Sequence, residues 1–166
     1  MNKPKILFDE CIGRPLVTRL TDFVTYHNDG EPELCHLLDL FGPGVYDEEW
    51  IPRIASEDWT VITQDRGSKG RKKGTPLPEV CEEFGVTHIL LSRRVAQFSS
   101  FLKAVAIVSV WPQIVDIAND SRKTCYRLEP SSHSDSTSNS GKLVLKKVLR
   151  PPAEDRRLFR LDDLDD

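Results

Sequence analysis

The sequence predicts an α/β protein built on a central, mostly parallel sheet. Two observations carry this. Short apolar runs of strand length alternate with stretches whose apolar residues recur at helical spacing. Glycine- and proline-bearing junctions separate the two kinds of segment, and this alternation is the pattern of strands returned by crossover helices.

Lys5 to Phe8 reads as the first buried strand, and Asp9-Glu10 follows it directly. Pro15 then stands near a helix start, where its missing N–H has no partner to lose. Leu16, Val17, Leu20, Phe23 and Val24 continue at helical spacing, and Asn28-Asp29-Gly30 reads as a turn. Glu33 to Leu40 reads as the second strand, broken by Gly42-Pro43-Gly44. Asp47 is placed as the cap of a helix reaching about Asp58, with Trp50, Ile51, Ile54 and Ala55 on one face. Pro52 fits that helix if it lies close to the first turn.

Thr60 to Thr63 reads as the third strand, ending in Gln64-Asp65. A basic, glycine-bearing loop spans 66–74, and Leu77 to Phe84 reads as a short helix stopped by Gly85. Val86 to Leu91 is the fourth strand. Val95 to about Ala118 is the longest helical stretch, kinked or split by Pro112. Thr124 to Leu128 offers a fifth strand. Beyond it the composition changes: residues 130–141 form a Ser-rich linker and 142–166 a separate segment with a strongly acidic end. Lys142 to Leu149 alternates apolar and charged residues, as a strand or a partner-bound segment would. The division expected is therefore a domain over 1–129, the linker, and a partner or regulatory segment over 142–166.

The 166 residues suit one domain and a tail, and a chain of this size buries a core without disulfides. No apolar run approaches the roughly 18 residues of a membrane span. The N-terminal stretch lacks a signal-peptide apolar region, so a cytoplasmic protein without membrane contact is expected. Cys11, Cys35, Cys81 and Cys125 are widely spaced, without the pairing that zinc sites show, and read as reduced thiols. His36 and His88 fall within strand segments and read as structural. The net charge of −3 argues against a surface coated throughout by nucleic acid, though not against a local basic patch.

Three acids stand out by position. Asp9 follows the first strand, Asp47 starts the helix after the second, and Asp65 follows the third. In a parallel sheet all three fall at the carboxyl edge, where such folds bind ligands. Neighbouring carboxylates repel without a cation. Convergence of the three therefore points to a hard divalent metal with oxygen ligands, Mg²⁺ or Mn²⁺, acting on a phosphodiester. Glu10 and Glu48 are placed to add a ligand or a general base. Each acid also has a plain structural reading: Asp47 as a helix cap, Asp9-Glu10 as loop acids, Asp65 as a turn residue. Their joint placement favours the site. Arg66, Lys69, Arg71, Lys72 and Lys73, five cations in nine residues, form a loop beside Asp65 suited to an RNA backbone, although Lys-rich loops are often merely solvated. Trp50 and Trp59 offer rings for base stacking, with core packing as the ordinary alternative.

These motifs resemble the PIN-like superfamily. ILFDE at 6–10 followed by a proline-bearing helix, DEEW at 47–50 and TVITQD at 60–65 match its ordered acidic motifs, and the likeness runs over about residues 5–118. Each motif is short, and the ordered set of three is more specific. The nearest branch is that of toxins in toxin–antitoxin pairs, VapC-like in the broad sense. The resemblance implies a three-layer α/β/α sandwich and Mg²⁺- or Mn²⁺-dependent cleavage of RNA. It carries metal binding onto Asp9, Asp47 and Asp65, and less securely a role onto Glu10 and Glu48. It also implies a cognate antitoxin partner and allows a homodimer. One departure stands out: relatives often carry a second Asp where this chain has Gly67.

Two other readings compete. A non-catalytic module would keep the fold and bind RNA or protein through the basic loop, and Gly67 favours it. A phosphoacceptor receiver domain shares the acid pair and the third-strand Asp but needs a Lys after the last strand, where the chain offers only Arg127.

Overall fold

A computed structural model of the chain describes residues 3–25, 32–65, 75–120, 123–131 and 143–148. Six strands form one sheet in the order β2-β1-β3-β4-β5-β6. They are β1 (Lys5–Phe8), β2 (Glu33–His36), β3 (Trp59–Thr63), β4 (Thr87–Leu91), β5 (Cys125–Pro130) and β6 (Leu143–Lys147). The first five run parallel, and β6 joins β5 antiparallel. The helices are α1 (Arg14–Thr25), α2 (Leu37–Leu40), α3 (Asp47–Ala55), α4 (Leu77–Glu83), α5 (Arg93–Ala96), α6 (Ser100–Ser109) and α7 (Trp111–Asn119).

Strand periodicity builds two cores. Side chains on a strand alternate between faces. Ile6, Phe8, Ile62, Ile89 and Leu91 pack with α1, α5, α6 and α7 on one side. Leu7 and Val61 turn the other way, onto Leu37, Trp50, Ile51, Ile54, Leu77 and Val80 of α2, α3 and α4. The result is the expected α/β/α sandwich. All five residues of β3 and of β4 are buried, as strands covered on both faces must be. Trp50 and Trp59, 0 % and 4 % exposed, are core residues and stack no base.

The structure departs from the sequence reading at four places. The second strand ends at His36, and 37–40 is a helical turn instead of its continuation, because the His36 ring caps it: Nδ1 accepts the Leu38 N–H at 3.2 Å. Asp47 is the first helical residue of α3 and not its cap, which is Tyr46. As a first-turn acid Asp47 still complements the helix dipole. Pro52 lies further inside α3 than the first turn. The long helical stretch is three helices: α5 stands apart from α6, while the break at Val110, where the axes of α6 and α7 bend by 63° and Pro112 occupies the first turn of α7, is the one expected at that proline. No single helix among the described residues is long and apolar enough to cross a membrane.

The expected boundary at 129 also moves. β6 pairs with β5 from Tyr126↔Lys147 to Pro130↔Leu143, and Leu143 and Leu145 pack against the α1–α6 core. The sheet thus continues past the Ser-rich stretch, and 143–147 is part of it. The acidic end, 149–166, lies outside the described residues.

Candidate active site

The strand order reverses between β1 and β3: the chain leaves β1 toward β2 on one side, and β3, β4 and β5 lie on the other. A crevice opens at the carboxyl ends of the two strands that flank such a switch point. Asp9 follows β1 there, and Gln64-Asp65 follows β3. The Asp9 N–H is bonded to the Ile62 carbonyl at 3.0 Å, which fixes the acid against β3.

Asp9 is 4 % exposed and both of its oxygens are engaged. Oδ1 accepts the Glu10 N–H at 2.7 Å, so Asp9 caps the short 3-10 turn Glu10–Ile12. Oδ2 accepts the Thr63 hydroxyl at 2.7 Å and the Cys11 thiol at 2.8 Å. Thr63, itself fully buried, accepts the Asp65 N–H at 2.9 Å on the same oxygen that donates to Asp9. One hydroxyl therefore ties Asp9 to the backbone of Asp65. Gln64 closes the arrangement: its Nε2 donates to the Cys11 carbonyl at 2.7 Å and its Oε1 accepts the Lys103 ammonium of α6 at 2.8 Å. The sequence reading missed Thr63, Cys11, Gln64 and Lys103, since their roles come from β1, β3 and α6 meeting.

Burial and the adjacent Asp9 charge push the Cys11 thiol up to about 12. It stays protonated and donates to Asp9 across the physiological range. Above the ordinary thiol value of 9.0 the unfolded chain ionises Cys11 while the folded one does not, so this contribution to stability is lost as pH rises from 9 toward 12. At pH 8, Cys11 is expected to alkylate at least about a hundredfold more slowly in the folded chain than in the urea-unfolded chain, because the thiolate is the nucleophile. Site-resolved mass spectrometry measures this, and equal rates would mean the thiol is not held by Asp9.

His36 ends β2 at the same edge and is 1 % exposed. Since Nδ1 accepts the Leu38 N–H, the ring proton of the neutral form is on Nε2, which has no hydrogen-bond partner among the described residues. Burial holds its pKa below 6.5, with Asp39 opposing that shift. Arg14 and Asp39 form an ion pair nearby.

The other acids serve local structure as well. Asp47, half-buried, accepts the Trp50 indole N–H at 3.2 Å. Glu48 accepts the Thr75 N–H at 2.6 Å, joining the α3 start to the chain two residues before α4. Glu10 is exposed beside Asp9. By element order, Asp9 and Asp65 follow β1 and β3, and Asp47 begins the helix that leads back to the start of β3. Even so, no group of three or more His, Cys, Asp or Glu side chains among the described residues is placed to hold a metal ion. The donors are hard oxygens, the right chemistry for Mg²⁺ or Mn²⁺. Their arrangement does not fit, because Asp9 is committed to Thr63 and Cys11, and Asp47 to Trp50. Arg66, Gly67, Lys69, Arg71, Lys72 and Lys73 lie outside the described residues.

Residues 4–76 match the family model of the PIN-like domain. Over that stretch the chain is similar to a PIN-like domain. The match runs from β1 to the approach of α4 and includes Asp9, Asp47 and Asp65. No curated protein and no solved structure matches the chain. The PIN-like domain is a nuclease-type fold, which places the chain with the hydrolases at a coarse level.

Proposed function

We propose that this PIN-like domain hydrolyses RNA phosphodiester bonds at the β1/β3 crevice and acts as the toxin of a toxin–antitoxin pair. The supporting observation is that the PIN-like match covers all three acidic motifs and the fold sets them along one edge of the sheet. Within that edge Asp9 accepts from the Thr63 hydroxyl, and the backbone of Asp65 is tied to the same hydroxyl.

A second reading has its own support. With both Asp9 oxygens engaged, the chain equally suits a non-catalytic PIN-like module that binds RNA or protein. One experiment separates the two. Cleavage of a labelled single-stranded RNA is followed in Mg²⁺, in Mn²⁺ and in EDTA. The nuclease reading expects cleavage with either ion and its loss in EDTA, which would also require Asp9 to exchange the Thr63 and Cys11 donors for the cation. Cleavage that persists in EDTA removes the metal from the mechanism. RNA left intact under all three conditions supports the binding module. The toxin role has a separate test: expression should arrest growth, and co-expression of a neighbouring antitoxin gene should relieve the arrest.

A further inference from the structure

Helix α6 exposes large apolar residues as well as burying Ala106 and Ile107. Its sequence, SFLKAVAIVS, holds a single charged residue. An ordinary surface helix turns apolar residues to the core and charges to water. Here Phe101, Leu102 and Val105 are 75 %, 48 % and 47 % exposed, while Lys103 is half-buried. Its ammonium is drawn inward to the carboxyl edge of the sheet, and what receives it is neutral: the Gln64 side-chain oxygen at 2.8 Å. Among the described residues, no carboxylate lies within ion-pair distance of it.

Gln64 is itself fixed, through Nε2 to the Cys11 carbonyl at 2.7 Å, and it sits between Thr63, which holds Asp9, and Asp65. The Lys103 charge is therefore brought to the carboxyl end of β3, onto the residue that precedes Asp65, and forms no ion pair with a carboxylate among the described residues. An ammonium has three donors, and Gln64 takes one. The remaining two have no acceptor on the described residues. A phosphodiester entering this crevice meets the carboxylates of Asp9, Glu10 and Asp65 and is repelled. A cation fixed at the same edge opposes that repulsion and supplies hydrogen bonds to the anion.

We propose that Lys103 holds a non-bridging phosphate oxygen of the nucleic-acid strand in the crevice, with Gln64 as its positioning residue. The inference rests on the reading of the chain as an RNA-acting PIN-like domain. The site takes the backbone phosphate and reads no base, so it contributes affinity and register and not sequence preference.

The test is fluorescence anisotropy of a short single-stranded RNA with the full chain, in EDTA, across a salt series, with RNA integrity checked on a gel. Lys103→Met keeps the aliphatic stem and removes the charge. It should weaken binding about tenfold at low salt and reduce the slope of log affinity against log salt by about 0.7, the value of one phosphate contact on a single strand. Lys103→Arg should restore the slope, which a purely structural role would not require. Lys103→Gln repeats the charge removal with a polar end, so the comparison stands even if the Met variant melts early. A wild-type slope in both uncharged variants, with tight wild-type binding, overturns the assignment alone. Absence of any RNA binding by the wild-type chain overturns the RNA-acting reading, and the assignment with it.

Discussion

Asp9→Asn is expected to lower RNA cleavage by about a hundredfold or more and also to destabilise the fold. The reason lies in counting acceptors. The carboxylate uses both oxygens: one for the Glu10 N–H, the other for the Thr63 hydroxyl and the Cys11 thiol. An amide offers one oxygen and an NH₂ group. Whichever way the substituted amide turns, its NH₂ faces a donor. Either the turn at Glu10 loses its cap, or Thr63 and Cys11 lose their shared acceptor. Asp9 is 4 % exposed, so water does not make up the loss. A buried group left without its partner costs about 1–3 kcal/mol, a fall of roughly 3–10 °C in melting temperature for a domain of this size. Asp65→Asn should behave differently. Thr63 holds Asp65 by its backbone N–H, and that bond survives the substitution. Loss of activity by a similar factor should then come with a smaller fall in melting temperature than in Asp9→Asn. Nuclease assays beside thermal melts decide the matter. Full activity in Asp65→Asn would take that acid out of the site. An Asp9→Asn chain that melts normally would show that the network contributes nothing to the fold.

The contrast between these two acids also marks what the sequence could reveal. Lys5 to Phe8 and Trp59 to Thr63 are short and almost wholly apolar because both of their faces are covered, and that composition is local information. The same holds for the acids that follow them, since a strand's end fixes the edge on which the next residue falls. What fails is whatever depends on a partner distant in sequence. Nothing in ELCHLLDL announces a helical turn at Leu37, because histidine is an unusual cap and its ring stands in for a Ser or Asp side chain. Asp47 carries the signal of a cap, yet Tyr46 takes that position and Asp47 turns to the Trp50 indole. Lys103 looks like any surface lysine on an apolar helix until α6 is laid against β3. The acidic motifs were legible, then, and the donors that commit Asp9 were not.

Truncation shows the same limit at the other end of the chain. Residues 130–141 read as a linker, from which a self-sufficient domain ending near Pro130 would follow. The sheet predicts the opposite outcome. Removing everything after Pro130 deletes β6, whose five residues pair with Tyr126 through Pro130. It uncovers the side of the core on which Leu143 and Leu145 rest, removes the Lys146–Glu129 ion pair, and breaks the bond from the Val148 N–H to the Cys125 carbonyl at 2.9 Å. Two half-buried leucines contribute about 1 kcal/mol each. The ladder adds roughly 0.5–1.5 kcal/mol per bond before the entropy of ordering the strand is subtracted. The exposed ion pair adds little. A net loss of about 2–4 kcal/mol is expected for a chain ending at Pro130. Its β5 also becomes an open edge, with the aggregation that such edges invite. A chain ending after Val148 keeps the whole sheet and should melt close to full length. Urea denaturation of the three lengths measures the difference. If the chain ending at Pro130 unfolded at the same urea concentration as the full chain, β6 would be an ornament on the sheet and the domain would end where the composition changes.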